Sequence, residues 1–148
     1  MGRPITYVLN ENVFTNIDTE EKAYWFGFIF ADGSISVSCT KQHILQIKLK
    51  ADESFFLEMF REFMETDRPI KFGESENRFG KVKFCYISIS SKKIVDDLIK
   101  NGLQFRKSNI AIFPNIKEDL IRHFIRGYID GDGSFFPIMV VKNLNIIR

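Results

Sequence analysis

Tyr24–Ser34 reads YWFGFIFADGS, and Phe124–Ser134 reads FIRGYIDGDGS. Aligned, the two stretches share Gly27/Gly127, Ile29/Ile129, Asp32/Asp132, Gly33/Gly133 and Ser34/Ser134, with aromatic exchanges at Tyr24/Phe124 and Phe28/Tyr128. A return this close marks an internal repeat, and a repeat constrains the architecture before any single element does. Each copy reads as an apolar helix that ends in an acid. Gly27 and Ala31, like Gly127 and Gly131, stand four apart and so share a helix face. Small residues at that spacing let two helix backbones approach closely, a steric effect that holds in a soluble core as well as in a membrane. The four are therefore candidate seam residues.

Asp32 and Asp132 then fall at helix C-termini, each followed by Gly, the residue favoured where a helix stops. The helix dipole disfavours an anion there by roughly 0.3–1 kcal/mol. Two such ends side by side would add carboxylate repulsion, and a divalent cation is the simplest offset. A single apolar helix ending in Asp-Gly would be unremarkable as a core element; the matched pair is what points to chemistry. Asp130, Asp132 and Ser134 also occupy positions one, three and five of a calcium-binding loop. Such a loop needs Gly at six and Glu at twelve, where this chain has Phe135 and Val141, so that reading is excluded.

Outward from the first motif, Asp18 and Glu21 read as a capping box that starts the helix running to Ala31. Beyond it the period changes. Ile35, Val37 and Cys39 alternate with Ser34, Ser36 and Ser38; Leu45, Ile47 and Leu49 alternate with Gln46, Lys48 and Lys50. Strict alternation marks half-exposed strands, with a hairpin at Thr40–Gln42. The polar face carries hydroxyl, amide and ammonium groups and no acid. It reads either as a solvated sheet face or as a surface for DNA, where lysines contact phosphates and Ser or Gln can reach base edges. Asp52 is expected to cap a helix over Glu53–Glu65 whose Phe56, Met59, Phe60 and Phe63 form a core stripe. Pro69–Gly73 and Val82–Ser90 read as a second strand pair around Asn77–Lys81, with Lys71, Arg78, Lys81 and Lys83 as further basic candidates. Ser91 caps a helix to Lys100, stopped by Asn101-Gly102. A connecting stretch, Phe105–Pro114, leads to the second motif helix near Asp119.

The expected fold class is α+β: an antiparallel four-stranded sheet packed on helices, followed by the start of a second repeat. Residues 1–115 form the first half-domain, and residues 116–148 hold the second motif helix and an incomplete second half. With 148 residues and 45% apolar composition, a sizeable core is expected. A net charge of +2 argues weakly for nucleic acid, so the acid-free strands carry more weight. Cys39 and Cys85 read as reduced core thiols rather than a disulfide framework. The N-terminus lacks a signal-peptide pattern, and the apolar run Ala23–Ala31 is too short to cross a bilayer. An intracellular setting, cytoplasmic, organellar or inside a viral host, is expected, without secretion.

Trp25–Gly33 (WFGFIFADG) and Ile125–Gly133 (IRGYIDGDG) resemble the two signature motifs of the LAGLIDADG homing endonucleases. The flanking words FTNIDTEEKAYWFGFIFADGS and KSNIAIFPNIKEDLIRHFIRGYIDGDGS fit as well, and together the likeness covers about two-thirds of the chain. The resemblance implies a four-stranded saddle over duplex DNA, with the motif helices as the seam between halves. It implies Mg²⁺, or another divalent cation, bound by Asp32 and Asp132, and a basic residue near the scissile phosphate. Lys107 is the best match to that basic residue or else an exposed loop lysine, with Lys48 and Lys50 as weaker candidates. The implied DNA contacts are Ser34, Ser36, Ser38, Gln46, Lys48, Lys50, Lys71 and Lys83. His43 and His123 are expected to be structural, and no small-molecule cofactor or membrane is implied.

The likeness breaks after Asp132-Gly133, where the family continues with another whole half; Ser134–Arg148 suffices for one strand. The expectation is a truncated or frame-disrupted double-motif enzyme, or one half completed by a second chain. The function implied is site-specific cleavage of duplex DNA. The alternative is a non-cleaving nucleic-acid-binding protein on the same scaffold, a splicing cofactor or regulator. An intein is not expected, since no nucleophilic residue stands at position 1 and no His-Asn pair at positions 147–148.

Overall fold

The computed structural model describes residues 7–103, 114 and 116–132. The order is α1 (Glu20–Asp32), β1 (Gly33–Val37), β2 (His43–Lys50), α2 (Ser54–Met64), β3 (Lys71–Asn77), β4 (Gly80–Ser90), α3 (Lys92–Lys100) and α4 (Ile121–Asp132). The fold is α+β, with one antiparallel sheet in the order β1-β2-β4-β3. Among the described residues, no helix is long and apolar enough to cross a membrane.

Helix α1 is buried almost all round, from Ala23 to Ile29, because it has partners on every side. The sheet and α2 lie on one side: Trp25 meets Phe60 at 5.3 Å between ring centroids, and Phe28 meets Phe56 at 5.2 Å. Helix α4 lies on the other. There the glycine notches do what their spacing implies. A Cβ on Gly27 would land on the Phe124 carbonyl, and a Cβ on Gly127 on the Tyr24 carbonyl. Gly131 is a milder notch, whose added Cβ would sit 2.9 Å from the Phe28 carbonyl oxygen and 3.1 Å from the Ala31 methyl. The two motif helices thus touch backbone to backbone.

Several local expectations shift. Thr19, not Asp18, caps α1; its hydroxyl accepts from the Lys22 N–H at 3.2 Å, while Asp18 pairs with the Lys22 ammonium at 3.0 Å. That ammonium holds the Asp18 carboxyl below its usual range. Asp52 does not cap α2 but lies in a 3-10 turn, Ala51–Glu53, that leads into it. The core side of α2 is Leu57, Phe60 and Met64, with Phe56 and Phe63 half-buried; Met59, expected in the core stripe, is instead 49% exposed. Ser91 does cap α3, accepting from the Ile94 N–H at 3.2 Å, and Gly102 (φ +122°) follows its end. Cys85 is buried, and burial, with Glu53 and Asp52 nearby, raises its thiol pKa. Cys39 is exposed rather than in the core, because β1 ends at Val37.

The second hairpin is longer and tighter than expected. Asn77 pairs with Gly80 across Arg78 and Phe79. The Asn77 side chain accepts from the Phe79 N–H at 2.8 Å, and Gly80 adopts φ +119°, open to Gly at little cost. β3 therefore begins at Lys71, not Pro69, and runs on to Asn77.

Candidate functional site

Antiparallel partners point to the same side of a sheet, and successive residues alternate. The register therefore sorts all four strands into two faces. One face carries Gly33, Ile35, Leu45, Ile47, Leu49, Cys85, Ile87 and Ile89 and packs on the helices. The other has rows Ser34–Gln46–Ser88, Lys48–Tyr86–Lys71 and Lys50–Phe84–Gly73, with Ser36–Ile44–Ser90 beside them. Ser75 and Asn77 continue this face along β3, opposite Val82 and Gly80. Glu74 and Glu76 fall on the opposite face, across from Lys83 and Lys81. The absence of acid expected for two strands thus holds for the described polar face of all four.

At one end of this face the sheet meets the motif helices. Asp32, Gly131 and Asp132 line an open cleft of about 500 Å³ together with Lys48, Lys50, Glu53, Val82, Lys83 and Phe84. Asp32 leads directly into β1, whose first pair is Gly33↔Ile47; one step back along that register lies Lys48. Neither α1 nor α4 has a basic residue in its last turn. Among the described residues, the cations lining the cleft at the two helix ends come from the sheet: Lys48, Lys50 and Lys83. Asp132 also acts within its own helix: the Tyr128 hydroxyl has a raised pKa, through burial first and the Asp132 charge second.

Lys48 is held in place. Its ammonium sits 4.0 Å from the Phe84 ring centroid. The ring itself lies over Gly73, where any Cβ would collide with it. Gly73, Phe84 and Lys48 thus form a three-strand stack beside the carboxylates, which sequence reasoning missed because its members belong to β3, β4 and β2. Its one local sign was a glycine inside a strand, which often marks a close approach.

Most expected site residues come together. Asp32, Asp132, Lys48, Lys50 and Lys83 border the cleft; Ser34, Ser36, Gln46 and Lys71 lie on the polar face. Lys83 is placed differently from its expected face, since the register turns it to the side of Glu74 and leaves it at the cleft margin. Ser38 lies past β1 in the turn, its hydroxyl within 2.9 Å of Thr40 Oγ1 and accepting from the Gln42 N–H. Lys107 and the segment Ser134–Arg148 lie outside the described residues. His43 and His123 are away from the cleft lining, and His123 approaches Glu20 at 3.4 Å.

Among the described residues, no three His, Cys, Asp or Glu side chains gather into a metal cage. Mg²⁺ does not need one: it binds through one or two carboxylates and fills its remaining places with water and substrate phosphate oxygens. The donor set here, Asp32 and Asp132 at one open, lysine-flanked cleft with Glu53 also on its lining, fits that habit.

No protein-family model matches the chain. It is 28% identical over 136 residues to a replication factor C small subunit of Methanocaldococcus jannaschii. The match covers 90% of this chain but 7% of the length of that curated relative.

Proposed function

We propose that the chain is a homing-type DNA endonuclease, or one part of such an enzyme, of the kind its repeated motifs resemble. It would hydrolyse phosphodiester bonds of duplex DNA with a divalent cation. The observation that carries this reading is the convergence of Asp32 and Asp132, one from each sequence repeat, on a lysine-flanked cleft beside an acid-free sheet face. A protein that only bound DNA would have no use for two anions where the phosphate backbone must pass. The replication factor match concerns a short segment of a far longer protein and brings no replication role to this chain.

In this reading the polar face docks on the duplex. Lys48, Lys50 and Lys71 meet phosphates, while Ser34, Ser36, Gln46 and Ser88 offer hydrogen bonds to base edges. The scissile phosphate enters the cleft between Lys48 and the two helix ends. Asp32 and Asp132 would hold the Mg²⁺, which when bound supplies charge neutralisation at the phosphate and activation of water. Lys48, braced on Phe84, would hold a positive charge at the cleft for the scissile phosphate without leaning on a flexible stem alone. The rigid seam sets the separation of the two carboxylates.

The test is Asp32→Asn in duplex cleavage and in binding without Mg²⁺, using DNA from the gene's own locus. The substitution is expected to abolish cleavage and leave binding equal or tighter, since one anion is removed from the DNA side. Cleavage at the wild-type rate would overturn the assignment. Binding without cleavage by the wild-type protein would favour a splicing cofactor or regulator on the same scaffold.

A further inference from the structure

The repeat maps Tyr24, Phe26 and Phe30 of α1 onto Phe124, Arg126 and Asp130 of α4. Where the helices cross, these six residues sort into two flanks. On one, the Tyr24 hydroxyl donates to Asp130 Oδ2 at 2.6 Å, and the Arg126 guanidinium stands 4.7 Å from the centre of the Tyr24 ring. On the other, the Phe124 ring lies 5.8 Å from Phe26 and 5.2 Å from Phe30. The flanks occupy equivalent places about a local twofold: Gly27 abuts the Phe124 carbonyl as Gly127 abuts that of Tyr24. The backbone geometry is therefore nearly symmetric, and the side-chain chemistry is not.

We propose that this seam is coded for unlike helices: α1 accepts an α4 and rejects a second α1, so another copy of the chain can engage the seam only by exchanging its α4. An α1–α1 pairing would keep the glycine notch but set Tyr24 against Phe30 twice. Tyr24 is 8% exposed, so two buried hydroxyls would lose their acceptor, the costly case for a polar group. An α4–α4 pairing would set Asp130 against Phe124 twice and leave no Tyr24 in the seam to donate to either carboxylate. In the α1–α4 pairing every partner is matched, polar with polar and ring with ring. The glycines alone permit all three pairings; the Tyr24–Asp130 and Phe30–Phe124 pairs choose among them. The choice is independent of what the chain does to DNA.

The code can be inverted. In a Phe30→Asp, Asp130→Phe variant, like pairings gain two Tyr–Asp bonds or two ring pairs, and the unlike pairing gains none. Sedimentation of the full chain is expected to show at least a tenfold higher dimerisation constant for this variant than for wild type at equal concentration. A folded variant that sediments as wild type does would overturn the proposal. Should the variant fail to fold, Tyr24→Phe, Asp130→Asn and their combination decide the matter by urea unfolding. The proposal expects the combined variant's unfolding constant to lie within about twofold of the worse single variant's. Losses that multiply independently would mean that Tyr24 and Asp130 do not recognise each other, and would overturn it.

Discussion

Adding one methyl group at Gly27 tests the contact on which the geometry depends. The Cβ of Gly27→Ala would lie inside contact distance of the Phe124 carbonyl oxygen and carbon, with the Tyr128 nitrogen 3.0 Å away. All are backbone atoms of a packed helix, so no side chain can swing aside. Restoring an ordinary contact, 3.4 Å or more, requires the helices to part by over an ångström. Overpacking of a core costs about 1–3 kcal/mol, and rigid obstacles place this site at the upper end. Ala gains about 1 kcal/mol over Gly in helix propensity. The net loss is therefore about 2 kcal/mol, which at a urea dependence of about 2 kcal/mol/M moves the midpoint down by about 1 M. Trp25 is the sole tryptophan and 3% exposed, so its fluorescence reports the transition. Gly127→Ala should match Gly27→Ala. Gly131→Ala, with its nearest atoms at 2.9 and 3.1 Å, should fall well short of both. Wild-type midpoints for Gly27→Ala and Gly127→Ala would refute the close seam, and with it the means of bringing Asp32 and Asp132 to one cleft.

Two further outcomes follow from named contacts. Phe84→Leu removes the ring under Lys48, a contact worth about 0.5–1 kcal/mol, so cleavage should slow about two- to fivefold. The upfield ring-current shift of the Lys48 side-chain methylenes should vanish with it, and a wild-type spectrum lacking that shift would refute the stack. Tyr24 provides a pH dependence. Its phenol pKa is raised above the usual 10.0 by burial, reinforced by the bond to Asp130. The folded state therefore retains the proton after the unfolded chain has begun to lose it. The stabilisation is complete below pH 10 and falls as pH rises above it. Tyr24→Phe should flatten the decline in urea midpoint between pH 9 and 11, and an unchanged decline would contradict the assignment.

How far the sequence could carry these conclusions depended on whether a feature was local. The repeated Gly-xxx-small spacing located the seam, and the acids that end both motifs located the cleft, because each signal lies within one helix. Alternation revealed β1 and β2 for the same reason. Asp18 and Thr19 are adjacent and both competent to cap, so composition could not choose between them; the Thr19 hydroxyl accepts the N–H and Asp18 takes the lysine. In α2, phenylalanines at 55, 56, 60 and 63 surround the axis, which left the phase open and misassigned Met59 to the core. The face of Lys83 depends on register, fixed by the two-residue turn at Arg78-Phe79 rather than by the strand's own residues. The Lys48–Phe84–Gly73 stack spans three strands, and no single stretch of chain shows it.

The central claim, that two repeats bring their terminal aspartates to a single cation, is tested most directly by titrating Mn²⁺ into the ¹⁵N-labelled protein. The amide resonances of Ala31 and Gly131 should broaden together at the same metal ratio, and both should be spared in the Asp32→Asn, Asp132→Asn variant. Broadening of one without the other, or of neither, would contradict the account.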